Sequence, residues 1–325
     1  MGSYLALGRV FAVSMLACLT VPASPALADY PDRNIDLIVP YGPGGGFDLY
    51  GRAVARTMEL HLPKGVKVVT RNLPGAGSTK GIATMFRAAP DGYTIGIVDL
   101  PGGIAPQIAG EKLPYDFDNV TWLGVVNVGV YSLVIGKNTP FRSLDLFQKT
   151  SDRIPYFATT GSNDLAMARI VADALQFKAK FLTGYTGAPE AQLAIIRSEA
   201  DAGMGIDVTI AKHLETGDLK QLIWFQRKGA RGTPAGVPTV DDIGHPQLAN
   251  LGLYRMFAAP PGLPDAVQRK LVDVLQAALN DPELAKWSKT SNFPLDPGTP
   301  EEAKRLYMEQ KAFLTGYRHL LKPEQ

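Results

Sequence analysis

The chain predicts an α/β protein of two lobes with a ligand cleft between them. Three observations carry this expectation. Strand-like and helix-like segments alternate in two separate series. Two glycine-rich turns each follow a short β-like run and lead into a helical pattern. A long apolar, β-branched run at 122–135 has no turn residue and suits a strand that leaves one sheet and enters another.

In the first series the pattern predicts strands over 34–39, 66–70 and 93–98, and helices over 48–60 and 78–89. Alternation at this spacing argues a parallel sheet with crossover helices. Leu49, Ala53, Met58 and Leu60 mark the expected buried side of the first helix, and Arg52, Arg56 and Glu59 its wet side. Asp99-Leu100-Pro101-Gly102-Gly103 reads as the loop after the third strand. The second series predicts strands over 154–158, 181–183 and 202–206, with helices over 164–175 and 189–198 between them. A loop at 229–236, a returning strand at 254–259 and helices over 265–280, 282–289 and 300–320 complete the chain. The expected division is a leader at 1–28, a discontinuous first lobe of 29–126 plus 252–325, and a second lobe of 127–251. Two extended crossings between lobes are the connection of a hinged clamshell.

The N-terminus reads as an export signal. Arg9 precedes an apolar stretch at 10–19, and Ala26 and Ala28 supply the small-residue cleavage pattern, so the mature chain is expected to begin at Asp29 in the periplasm. The stretch is shorter than the roughly 20 residues that span a bilayer. Cys18, the single cysteine, lies inside this leader; lipidation there is the alternative, opposed by Met15 and Leu16 where small residues belong. Without that cysteine the chain has no disulfide, thiol nucleophile or thiolate metal site. A net charge of +2 offers no footprint for nucleic acid, so anion recognition must be local.

The two turns are Pro40-Tyr41-Gly42-Pro43-Gly44-Gly45-Gly46-Phe47-Asp48 and Asn72-Leu73-Pro74-Gly75-Ala76-Gly77-Ser78. Glycine leaves backbone N–H groups unobstructed, and a following helix N-terminus carries partial positive charge, so both turns suit anionic or carbonyl oxygens. Tight βα turns need glycine in any case, but three in a row exceed that need. Asp48 is expected to cap the first helix. Tyr41 or Phe47 could stack on an aromatic ligand. A dinucleotide site is disfavoured: Gly75, Gly77 and Gly81 give a related spacing and Asp99 a crude ribose partner, but Lys80 stands where the third glycine belongs. No G-x-S-x-G elbow surrounds Ser162. His61, His213, His245 and His319 are scattered, and no metal-ligand spacing occurs. No catalytic residue, metal or cofactor is therefore expected.

In this order the motifs resemble those of the Bug-type periplasmic solute-binding proteins that serve tripartite tricarboxylate transporters. Beyond the two turns, the resemblance rests on Pro90-Asp91-Gly92-Tyr93-Thr94, Val237-Pro238-Thr239-Val240-Asp241-Asp242-Ile243-Gly244, Pro260-Pro261-Gly262-Leu263-Pro264, Asn280-Asp281-Pro282-Glu283 and Gly298-Thr299-Pro300-Glu301-Glu302. It covers essentially the whole mature chain. It implies a type II-like Venus-flytrap fold and a monomer that captures a di- or tricarboxylate, aromatic acid or acidic amino acid for integral-membrane permease subunits. It also implies ligand contacts from Tyr41, Gly45, Gly46, Phe47 and Asp48, and from Gly75, Ala76, Gly77 and Ser78, with both turns holding one carboxylate. Thr160, Ser162, Asn163, Tyr185, Thr186, Gly187 and Asp207 carry over from the second lobe. Two departures stand out: Arg197-Ser198-Glu199 replaces a usual Gly-Gly, and Asp99 occupies a loop that is usually small and polar. A carboxylate at Asp99 near the pocket would repel a simple dianion. A sensor feeding a membrane kinase uses the same binding physics and stays open as an alternative; an exported α/β enzyme would need catalytic groups that the motifs do not supply.

Overall fold

The computed structural model describes residues 30–149, 153–160, 162–230 and 232–322, with the side chains of Ser162 and Asn163 excluded. The expected leader, its cleavage site and Cys18 lie outside the described residues.

The first series forms β1 (Ile35–Val39), α1 (Gly46–Glu59), β2 (Val68–Asn72), α2 (Thr79–Phe86), β3 (Thr94–Asp99) and α3 (Leu100–Ala109). β1 pairs in parallel with both β2 and β3. Its near-continuous apolar run, with Ile35, Leu37 and Val39 fully buried, is that of a parallel strand covered on both faces.

β4 (Thr121–Gly136) then crosses the molecule as a single strand. β5 (Tyr156–Ala158), α5 (Ser162–Ala174), β6 (Lys180–Leu182), α6 (Ala188–Ile196) and β7 (Ala202–Ile206) make the second series, preceded by a short α4 (Leu144–Gln148). α7 (Asp207–Glu215) and β8 (Leu219–Trp224) follow, two elements that the patterning leaves unassigned. β9 (Gly252–Ala259) returns, and α8 (Asp265–Leu279), α9 (Pro282–Ser291), α10 (Pro300–Gly316) and α11 (Arg318–Leu321) close the chain. α8 buries Val267, Leu271, Val274, Leu275 and Ala278 along one stripe. α9 and α10 begin on Asp281 and Thr299 caps, each with proline at the first helical position.

Among the described residues the strands form one sheet in the order β2-β1-β3-β9-β4-β7-β5-β6, with β8 also on β4. The first part of β4 pairs with β9 as far as Val130↔Gly252. From Tyr131↔Ile206 onward it pairs with β7, and from Ser132↔Trp224 with β8. The long apolar run is thus the crossover that its length predicts, and the molecule has the two-lobe α/β architecture expected of it.

Four local expectations need correction. The 99–103 segment is not a loop: Asp99 accepts the Gly102 N–H at 2.9 Å and starts α3. Gly103 is accommodated in that helix because Phe117 packs against it, 2.7 Å from where a Cβ would lie. Leu49 and Leu60 face outward, 37% and 63% exposed, because α1 turns Phe47, Tyr50, Val54 and Met58 inward. Asp48 is no N-cap; α1 starts at Gly46 with Gly45 before it, which places Asp48 in the first turn. The helix expected over 300–320 breaks at Tyr317 into α10 and α11.

Candidate functional site

Asp48 and Asn72 tie the two glycine turns together. Asp48 Oδ2 accepts the Gly44 N–H at 3.0 Å, while Oδ1 accepts Asn72 Nδ2 at 2.9 Å and pairs with Arg52 Nε at 2.9 Å. Asn72 Nδ2 also donates to the Tyr41 carbonyl at 3.0 Å, and its Oδ1 accepts from Arg52. Burial would raise the Asp48 pKa, but bonds from Arg52, Gly44 and Asn72 outweigh it and hold the carboxyl below its usual range. The motif's aspartate and asparagine therefore shape the turns from behind.

The front of the first turn meets the second lobe. Tyr41, Gly45, Gly46 and Phe47 line a cavity of about 180 Å³ closed on the other side by Thr160, Asp164, Thr186, Gly187 and the first residues of α6, Ala188 to Glu190. Gly42 approaches the Thr186 carbonyl, 3.9 Å from where a Cβ would lie. Met204 and Ile206 from β7 and Leu253 from β9 supply apolar surface.

Arg255 also lines this cavity, and nothing in the glycine motifs foretells it. It lies on β9 opposite Asn127 of β4, and cross-strand partners share a face. Its Nη1 donates to Asn127 Oδ1 at 2.6 Å. Asn127 Nδ2 is occupied by Pro294 O at 3.0 Å and Asp296 Oδ2 at 3.2 Å, which fixes the amide with its oxygen toward the guanidinium. Phe47 and Tyr50 flank the guanidinium carbon at 5.1 and 4.9 Å from their ring centroids. Two glycines make the space: a Cβ on Gly46 would lie 2.9 Å from Nη2, and one on Gly129 3.1 Å from Nη1.

Arg255 is 1% exposed and its Nε has no hydrogen-bond partner. No carboxylate of the described residues forms an ion pair with it. Burial pulls its pKa down, opposed by the electrostatic influence of Tyr50 and Asp207, but an arginine stays protonated. The guanidinium also sits at the N-terminus of α1, which has no side-chain cap. Asp99, opposite Arg255 in register on β3, and Asp207 act on it electrostatically without forming an ion pair. Two positive features thus converge without a carboxylate in contact. A buried arginine without a carboxylate is costly, and a bound anion offsets that cost.

Behind Tyr41 lies a second group of buried polar atoms. Ser78 Oγ and Asp99 Oδ1 have no partner of good geometry, and the Tyr41 hydroxyl is the group that acts on both. Burial pushes the Asp99 carboxyl up to about 6, and the charge of Asp164 adds to the rise. Asp164 accepts from Tyr131 Oη at 3.1 Å and from the Thr160 hydroxyl and N–H, and burial raises its pKa as well.

The expected site residues therefore divide. Tyr41, Gly45, Gly46, Phe47, Thr160, Thr186 and Gly187 meet at the Arg255 cavity. Gly75, Ala76, Gly77, Ser78 and Tyr185 line a separate, wider cleft of about 660 Å³, which shares Tyr41, Thr160 and Thr186 with the first. Asp48, Asp99 and Asp207 line neither cavity. Asp207 opens α7, where its carboxylate takes the Val208 N–H at 2.8 Å. Ser162 and Asn163 lie where side chains are not described. The sequence did carry a signal for Arg255: it is the lone charge in the wholly buried run GLYRMFAA. Among the described residues there is no metal-binding cluster, and no helix is long and apolar enough to cross a membrane.

Comparison with known proteins agrees with this architecture. A model described as the tripartite tricarboxylate transporter family receptor matches residues 51–312. A UPF0065 protein of Bordetella pertussis is 30% identical over 290 residues, which is 87% of each chain. Among solved structures, the periplasmic binding protein BugD aligns with a TM-score of 0.76 at 24% identity, over 90% of this chain and 98% of its own. MatC from Rhodopseudomonas palustris with bound malate aligns with a TM-score of 0.76 at 21% identity, over 90% of this chain and 100% of its own. Family and fold are those of substrate-binding proteins, and the chain belongs to the tripartite tricarboxylate transporter receptor family.

Proposed function

We propose that the protein is an exported, periplasmic receptor that captures a small organic carboxylate between its lobes and delivers it to a tripartite tricarboxylate-type permease. The observation that carries this reading is Arg255, buried without a carboxylate partner where the α1 N-terminus faces the cavity. The ligand carboxylate would accept from the guanidinium and from the free N–H groups at the start of α1. The structural neighbour MatC, solved with bound malate, supports a carboxylate as the ligand.

Charge-assisted bonds contribute about 1.5–3 kcal/mol each. Two or three of them, offset by closure and ordering, are consistent with micromolar affinity, about −8 kcal/mol. The lobes would divide near 126/127 and 251/252, beside the point where β4 exchanges β9 for β7 at Val130 and Tyr131. Closure about these two strands would bring Thr160 and Thr186 over the bound ligand and present the closed shape to the permease. The chemistry is binding alone.

The test is a thermal-shift and calorimetry screen of the mature protein, unfolded and refolded to remove any carried ligand, against aliphatic and aromatic carboxylates and their amides. Carboxylates should raise the Tm and the matching amides should not. Equal shifts by both would overturn the anion reading. Cell fractionation with a C-terminal tag tests export, and deletion of 1–28 should leave the protein in the cytoplasm.

A further inference from the structure

We infer that the site takes a ligand with one carboxylate and an apolar body, and that its second-lobe wall rejects a second carboxylate. This rests on the carboxylate reading above and narrows it.

The charges around the cavity are asymmetric. Among the described residues Arg255 is the one basic residue lining it, and none lines the adjoining cleft. Facing Arg255 across the cavity, the second lobe contributes Asp164, 7% exposed, and Glu190 at the mouth. Glu111 lines the adjoining cleft. Asp99, the register partner of Arg255 on β3, is fully buried and lines neither cavity, so it is not part of this far wall. A dicarboxylate anchored on Arg255 would therefore direct its far end toward acidic groups, with no cation to receive it.

Hydrogen bonding points the same way. Asp164 spends its oxygens on Tyr131 and Thr160, and Glu190 Oε2 accepts both the Thr186 N–H at 2.7 Å and its hydroxyl at 2.9 Å. These donors are thus turned to the protein's own carboxylates and are withdrawn from a ligand's. The Glu190 carboxyl is held below its usual range by the Thr186 bonds, whereas at Asp164 the bonds from Thr160 and Tyr131 only partly offset the rise that burial causes. Between the two poles, Phe47, Met204, Ile206 and Leu253 present apolar surface suited to an alkyl or aryl body. The site has a cation on the first-lobe side, apolar surface along it and carboxylates on the second-lobe side.

Matched pairs test this on the refolded mature protein by calorimetry at pH 8: hexanoate against adipate, and benzoate against terephthalate. The monoacid of each pair should bind at least tenfold more tightly than the diacid. Asp164→Asn and Glu190→Gln, which keep the acceptor geometry toward Thr160 and Thr186, should each narrow that ratio several-fold. A diacid that binds as tightly as its monoacid overturns the inference, as does an unchanged ratio in both variants. If no carboxylate binds and the amides behave alike, the carboxylate reading itself falls, and this inference with it.

Discussion

The turn at 41–47 and the turn at 73–78 both end a parallel strand and lead into a helix, yet they face different surroundings. The first opens α1 with helical geometry from Gly46 and lies over the Arg255 guanidinium. The second carries positive φ at four successive residues, Gly75 (134°), Ala76 (47°), Gly77 (59°) and Ser78 (85°), and lines a wider cleft that has no basic residue among the described residues. Tyr41 stands between them, common to both cavities. Glycine frees backbone donors in either place; an anion site also needs a positive partner and enclosure. Only the first turn has both, which makes it the ligand turn in our reading and the second a strained wall.

Replacing the positive partner is the strongest way to break this contrast. Arg255→Met should weaken carboxylate binding a hundredfold or more, about 3 kcal/mol. It should leave the Tm of the ligand-free protein within a few degrees, because an unpaired buried charge is removed as well. A large fall in the ligand-free Tm with ligand affinity intact would make Arg255 structural. Gly46→Val should cost tenfold or more in affinity, since its Cβ would lie 2.9 Å from Nη2 and the guanidinium is held between Phe47 and Tyr50. Titration calorimetry reads both.

The partition between the turns can be tested by pH. Asp99 has a folded pKa raised to about 6 by burial, against roughly 3.9 when unfolded. The folded state therefore holds the proton more tightly, so stability is greatest below about pH 4 for this group and is lost as pH rises toward 6. The loss is at most about 3 kcal/mol. Melting curves across that range should show Asp99→Asn with a smaller decline than wild type; parallel curves would remove Asp99 as the source.

Gly77→Val sharpens the comparison from the other side. With φ at 59°, a β-branched residue there should destabilise by about 1 kcal/mol, while ligand affinity changes less than threefold. Affinity losses as large as those of Gly46→Val would join both turns in one site. The smallest effect belongs to Ala76→Gly, which relieves a positive φ and should stabilise by about 0.5 kcal/mol in chemical denaturation.

Much of the fold was legible because its signals are local. The strand expected over 202–206 is β7 residue for residue, and the run at 122–135 is β4 with two residues' difference at most. Where reading failed, a longer-range contact had overridden a local cue. Gly102 and Gly103 look like loop residues until the Asp99 cap and the Phe117 ring are in place. Leu49 and Leu60 fit a helical stripe, but the buried face of α1 is set by Tyr50 reaching Pro294 O at 2.6 Å and packing on Trp287 and Phe293.

The candidate site divides along the same line. Residue pattern was enough to predict two lobes, two glycine turns and a crossing strand, because periodicity and turn chemistry are properties of neighbouring residues. That Arg255 lies beneath Gly46, and that Asp164 faces it, depends on the antiparallel register of β3, β9 and β4 and on the packing of one lobe over the other. Register couples residues far apart in the chain, and no local pattern encodes which of them will meet. The glycine turn is written in the chain; the charge that lies beneath it is placed there by folding.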